Sequence, residues 1–206
     1  KSKGNILDPL EIIEKYGLDP LRYYLLKEVS FGNDGNISQE KLESCINSDL
    51  ANNFGNLCQR VLAFALKNCE NKIPEQNLTN DDLNILNTIS NTKKIREYID
   101  NQDINKYMEF VVNGLFASNK YFNDQAPWGR KDDMKRLNTI VYTSLELIRK
   151  LSILLYPVMP ETCVKVLKTF NIEEDNISLS SIENNNSLNS NKTLNALSIL
   201  FKKVEK

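Results

Sequence analysis

The chain has 206 residues, 41% of them hydrophobic, and its 26 Lys plus Arg against 27 Asp plus Glu give a formal net charge of -1. That balance argues against a domain that grips nucleic acid by bulk electrostatics, and no run approaches the ~18 apolar residues of a membrane span. Histidine is absent and the four cysteines, Cys45, Cys58, Cys69 and Cys163, lie far apart, so there is no zinc-ligand spacing and free thiols in a cytoplasmic chain are expected.

Asp8-Pro9-Leu10-Glu11 combines an N-cap, a first-turn proline and a capping-box glutamate, and Gly17 is placed to stop the helix predicted over 9–16. Asp19-Pro20 repeats the start signal for a second helix carrying Leu21, Tyr24 and Leu25. Gly32, Asn33, Asp34 and Gly35 then form a turn cluster within 29–37. Residues 1–37 read as a compact connector. From Ser38 the apolar spacing is helical: Ile46, Leu50, Phe54, Leu57, Val61 and Phe64 fall three and four apart, predicting a long helix to about Asn68 with an interruption near Ser48. Further helices are predicted over 79–100 (Leu83, Leu86, Ile89, Ile95) and 103–124 (Met108, Val111, Leu115, Phe122). Another covers 131–156 (Met134, Leu137, Val141, Leu145, Ile148, Leu151), and a shorter one opens at Pro160 with Val164 and Leu167. Period-two alternation is missing, so the expected fold is all-α, an antiparallel helical bundle over 38–172 behind the connector. Residues 173–206 are Asn- and Ser-rich, a composition expected to bury no apolar face and to form a surface loop or mobile tail. Within them Leu194–Val204, with Leu197, Ile199, Leu200 and Phe201, is apolar enough to dock back on the protein.

Two groups of residues suggest chemistry. If 46–64 is helical at 100° per residue, Asp49, Asn52, Asn53, Asn56 and Arg60 share one ~100° arc beside the apolar stripe. Asn56 and Arg60 then stand one turn apart, and an amide with a guanidinium fork can satisfy the donor and acceptor pattern of a cytosine edge. A solvated helix face with a salt-bridged Arg is the alternative. Trp128, the single tryptophan, follows Pro127, whose fixed φ would hold a rigid π face suited to stacking on an unpaired base. The same ring could instead be a lid over the core.

The opening Lys1-Ser2-Lys3-Gly4-Asn5-Ile6-Leu7-Asp8-Pro9 is followed in order by Tyr16-Gly17-Leu18-Asp19-Pro20-Leu21-Arg22-Tyr23-Tyr24-Leu25-Leu26, Phe31-Gly32-Asn33-Asp34-Gly35, Asn47-Ser48-Asp49-Leu50-Ala51-Asn52 and Ala126-Pro127-Trp128. This succession resembles the methionyl-tRNA synthetases, a family of class I aminoacyl-tRNA synthetases, from Lys1 to about Ile172 and weakly again near Leu200-Phe201. Lys1 and Ser2 would close the KMSKS signature. The resemblance implies an anticodon-binding bundle that reads CAU through Asn56, Arg60, Pro127 and Trp128, with a connector that joins it to the catalytic domain and touches the inner side of the tRNA. It implies tRNA(Met), methionine and ATP with Mg2+ for the whole ligase, no metal or cofactor on this chain itself, no membrane, and a monomer. Lys1 would stabilise the pyrophosphate charge that develops as methionyl-adenylate forms. The catalytic nucleotide-binding fold would precede residue 1, so the chain alone is expected neither to exchange pyrophosphate nor to charge tRNA. Rival readings are the helical domain of another class I synthetase, for valine, isoleucine, leucine or cysteine, whose bundles share the Tyr156-Pro157-Val158-Met159-Pro160-Glu161 type of segment, and a non-catalytic helical module binding a protein along an apolar groove.

Overall fold

The computed structural model describes residues 8–28 and 37–205. Among them are nine α-helices: α1 (Pro9–Tyr16), α2 (Leu18–Glu28), α3 (Gln39–Cys45), α4 (Asn56–Asn68), α5 (Asn80–Thr88), α6 (Thr92–Asp100), α7 (Ile104–Gln125), α8 (Met134–Leu155) and α9 (Pro160–Lys168). A π-helical stretch, Ile46–Gly55, joins α3 to α4 without a break, and the described residues contain no strand, only an isolated antiparallel bridge between Lys72 and Thr193. The all-α expectation therefore holds. The turn cluster at Gly32–Gly35 and the opening residues 1–7 lie outside the described residues.

The start and stop signals of α1 work as the sequence suggests. Asp8 Oδ1 accepts from the Leu10 N–H at 2.8 Å, and Gly17, at φ 92°, closes the helix by donating to the Ile13 carbonyl at 2.9 Å. Asp19 behaves differently. Helix α2 already starts at Leu18, and the buried Asp19 carboxylate accepts instead from the Thr162 N–H at 2.7 Å, capping the first turn of α9 across the fold. Arg22 adds to this joint, donating through Nε to the Val158 carbonyl and through Nη2 to the Pro157 carbonyl, both at 2.8 Å. Tyr23 and Tyr24 are fully buried beside it. Helix α2 is thus packed onto the α8–α9 corner, with α1 packed on α2.

Helix α8 is the centre of the bundle, with every side chain from Thr139 to Leu155 buried and α4, α5, α7 and α9 packed around it. The helix predicted over 79–100 is in fact two. Ser90 Oγ donates to the Leu86 carbonyl at 2.8 Å and Asn91 Oδ1 accepts from the Lys94 N–H at 3.0 Å, so these short polar side chains end α5 and begin α6. All four cysteines are buried free thiols.

The expectation of a tail that buries nothing is corrected. Ile182, Leu188 and Leu194 are buried and join the hydrophobic core although the surrounding sequence is polar. The polar groups are satisfied from below: Lys150 Nζ donates to Ser90 Oγ and to the Ile182 carbonyl, both at 2.6 Å, and to Asn185 Oδ1. Arg149 donates to the Ser181 carbonyl at 3.0 Å while forking onto Glu146. The final stretch docks as expected, with Asn47 exchanging two hydrogen bonds with the Val204 backbone at 2.8 and 3.0 Å and Phe201 lying against Gly55.

Candidate nucleic-acid interface

Helix α7 ends at Gln125 because Ala126 adopts a left-handed conformation, φ 42° and ψ 63°, uncommon for a residue with a Cβ. Its N–H still reaches the Phe122 carbonyl at 3.2 Å, and Pro127 opens a 3₁₀ turn, Pro127–Gly129. Pro127 is buried. Trp128 is 47% exposed: it meets the buried Phe122 ring, centroid to centroid 5.8 Å at 75°, and about half of its surface stays open.

Arg60 comes to the same place from α4. Its guanidinium carbon stands 5.5 Å from the Phe122 ring centroid, and Nη2 donates to Asn123 Oδ1 at 2.7 Å. Among the described residues Arg60 makes no salt bridge. Asn56 is half-buried one turn before Arg60, and among the described residues its side chain makes no hydrogen bond. Arg60 and Trp128 meet at the Phe122 ring near the end of α7, Pro127 directly precedes Trp128, and Asn56 stands one turn before Arg60 on α4. Lys1 lies outside the described residues.

The single polar arc drawn from ideal helical geometry does not survive. The π-helical turns of Ile46–Gly55 are wider than α turns, so the stretch rotates its side chains out of the predicted register and turns Asp49 and Asn53 inward, leaving Asn52 exposed. Asp49 then accepts from Lys27 at 2.6 Å, Tyr23 at 3.1 Å and Ser48 at 2.7 Å. Asn53 Oδ1 accepts from Asn119 Nδ2 at 2.7 Å, tying the π stretch to α7.

A buried ionic joint fixes the same end of α7 from the other side. Asp82 of α5 accepts from Arg136 of α8 at 2.6 and 3.0 Å, from the Tyr121 hydroxyl at 2.5 Å and from Thr79 through its backbone and hydroxyl. Arg136 also donates to Gln125 Oε1 at 2.8 Å, directly before the turn that carries Trp128. Burial pushes the Asp82 carboxyl up, but the hydrogen bonds from Arg136, Tyr121 and Thr79 outweigh it and hold the group below its ordinary value. Sequence reasoning missed Asp82, Asn119 and Asn123. Asp82 is the residue it could have found, since Thr79 to Asp82 is a capping-box spacing.

Comparisons with known proteins agree on one family. The model of class I tRNA synthetases (M) matches residues 1–62, and that of the anticodon binding domain of methionyl tRNA ligase matches residues 73–206. The methionine–tRNA ligase of Mycobacterium leprae is 40% identical over 182 residues, covering 85% of this chain and 34% of the relative. That of Thermotoga maritima is 35% identical over 209 residues, covering 100% of the chain and 33% of the relative. The chain thus spans about a third of the length of these curated relatives. The crystal structure of apo methionyl-tRNA synthetase from Mycobacterium tuberculosis superposes with a TM-score of 0.90 at 32% identity, over 98% of this chain and 42% of that one. These matches do not favour a synthetase for another amino acid or an unrelated helical module. With the bundle geometry and a methionine-specific family model both covering its larger part, the chain belongs to the family of methionyl-tRNA ligase anticodon-binding domains.

Proposed function

We propose that this chain is the tRNA-reading part of a methionine–tRNA ligase and that Asn56, Arg60, Pro127 and Trp128 receive the CAU anticodon of tRNA(Met). The observation that carries the reading is the convergence of a half-exposed Trp128 ring and the Arg60 guanidinium on one aromatic residue at the end of α7. Trp128 stacks on the first anticodon base while Asn56 and Arg60 meet its edge, a stacking platform with adjacent polar groups that suits a single-stranded loop. Contact at a few bases is consistent with the net charge of -1, because specificity comes from base edges and stacking while phosphates mostly set affinity. In this reading residues 1–37 connect, 38–172 form the anticodon-binding bundle and 173–206 close against it. Methionine and ATP with Mg2+ are substrates of the whole ligase, with Lys1 on the ATP side. Among the described residues no helix is long and apolar enough to cross a membrane. We place the ligase in the cytoplasm as a monomer.

Four synthetic anticodon stem-loops differing only at the first base test the reading. The chain is expected to prefer CAU by a factor of roughly ten or more, since each matched base-edge contact is worth about 1–3 kcal/mol. Arg60→Ala and Asn56→Ala should each erode that preference. Equal weakening toward all four loops, confined to low salt, would instead make Arg60 a phosphate contact and Asn56 a bystander. Trp128→Ala should cost about 1–3 kcal/mol of binding at unchanged melting temperature, because the exposed ring gives more to a stacked base than to the core. A large loss of melting temperature in that variant would return Trp128 to a packing role.

A further inference from the structure

We propose that Phe122 is the positioning residue of the anticodon site, holding Trp128 and Arg60 in fixed relation so that the stacking face and the hydrogen-bonding fork meet one base together. The inference rests on the reading above for its RNA part and on geometry alone for the rest. Phe122 is 2% exposed and can touch no ligand itself, yet three partners converge on its ring. Trp128 meets it edge-on at 5.8 Å, the Arg60 guanidinium lies 5.5 Å from its centroid, and Phe64 meets it at 6.1 Å and 80°. Trp128 sits on a three-residue 3₁₀ turn and Arg60 on a different helix, so no backbone hydrogen bond fixes one against the other. A shared ring does. Its edge-to-face contact restrains the indole and its π electrons attract the guanidinium, while Asn123, the next residue, fixes the direction of the fork through its 2.7 Å hydrogen bond. Both side chains are thereby ordered before any RNA arrives, which lowers the entropic cost of binding.

The test compares Phe122→Leu with Phe64→Leu in the full chain. Both remove a ring from the same aromatic cluster, but among the described residues Phe64 makes no ring–ring contact with Trp128 and no cation–π contact with the Arg60 guanidinium. Trp128 is the single tryptophan, so its fluorescence anisotropy decay and acrylamide quenching report its freedom directly in the RNA-free chain. Phe122→Leu is expected to stay helical, to give Trp128 a fast anisotropy component and greater quenching, and to bind the CAU stem-loop roughly three- to tenfold more weakly with a reduced preference for the first base. Phe64→Leu should leave all three readouts unchanged while lowering the melting temperature. Equal changes in both variants would make Phe122 ordinary packing, and unchanged anisotropy in Phe122→Leu would overturn the proposal. Should leucine fill the space too poorly for folding, Phe122→Met, whose unbranched and flexible side chain adapts to irregular gaps, carries the same comparison. If the wild type shows no preference among the four loops, the anticodon reading falls, and the RNA-free anisotropy comparison alone then upholds or overturns the positioning role.

Discussion

Asp82→Ala is expected to lower the unfolding free energy by about 3–5 kcal/mol, the usual consequence of leaving a largely buried guanidinium without its partner. Asp82 is fully buried and accepts from three helices or their caps at once, so its removal strands Arg136, Tyr121 and the first turn of α5 together. Urea denaturation would measure it. A loss below about 1 kcal/mol would mean that water or a neighbouring side chain replaces the carboxylate. The same group sets an acid limit. Its folded pKa lies below the ordinary value of 3.8, so the stabilisation is present above that value and is lost as pH falls through the lower folded one. Asp82→Asn should flatten that acid limb.

Lys150 is expected to give the opposite pH dependence. Burial pushes its ammonium down, Glu146 pulls it back up and Arg149 pushes it down again, to about 8 from an ordinary 10.5. The folded chain therefore releases this proton before the unfolded chain does, and stability rises with pH between the two values. Relative to Lys150→Met, the wild type should gain about 2 kcal/mol between about pH 7.5 and about pH 9.5. Taking the difference between the two proteins cancels the titration of cysteines and tyrosines elsewhere. A flat difference would show that the three hydrogen bonds to Ser90, Ile182 and Asn185 keep the ammonium charged through that range.

Helices with local signals were legible in the sequence. Asp8, Pro9 and Gly17 bound α1 and Ser38 caps α3, all through contacts within a few residues. What escaped depended on distant partners. Asp19 looks like a cap for its own helix because the Thr162 N–H it serves is 143 positions away. The π-helical pitch of Ile46–Gly55 leaves no mark in the apolar spacing, which is why ideal α-helical geometry puts Asp49 and Asn53 in one polar arc with Asn52, Asn56 and Arg60 beside the apolar stripe. The burial of Ile182, Leu188 and Leu194 was missed because composition averages over a segment, whereas packing is decided residue by residue. Within the site, Trp128 and Arg60 could be singled out by residue type and resemblance, but nothing in the sequence connects position 60 to position 122. The half-exposed Trp128 is similarly a matter of geometry, set by the left-handed Ala126.

The hand of Asp19 on α9 also bears on the order of assembly. During synthesis from the N-terminus, α2 is complete more than a hundred residues before Pro160–Lys168 exists, and until then the Asp19 carboxylate and the Arg22 fork lack the backbone groups they bond. Closure of so long a loop is a late, non-local event. Helix α2 must therefore wait, and α9, far along the chain, completes the joint that α2 begins.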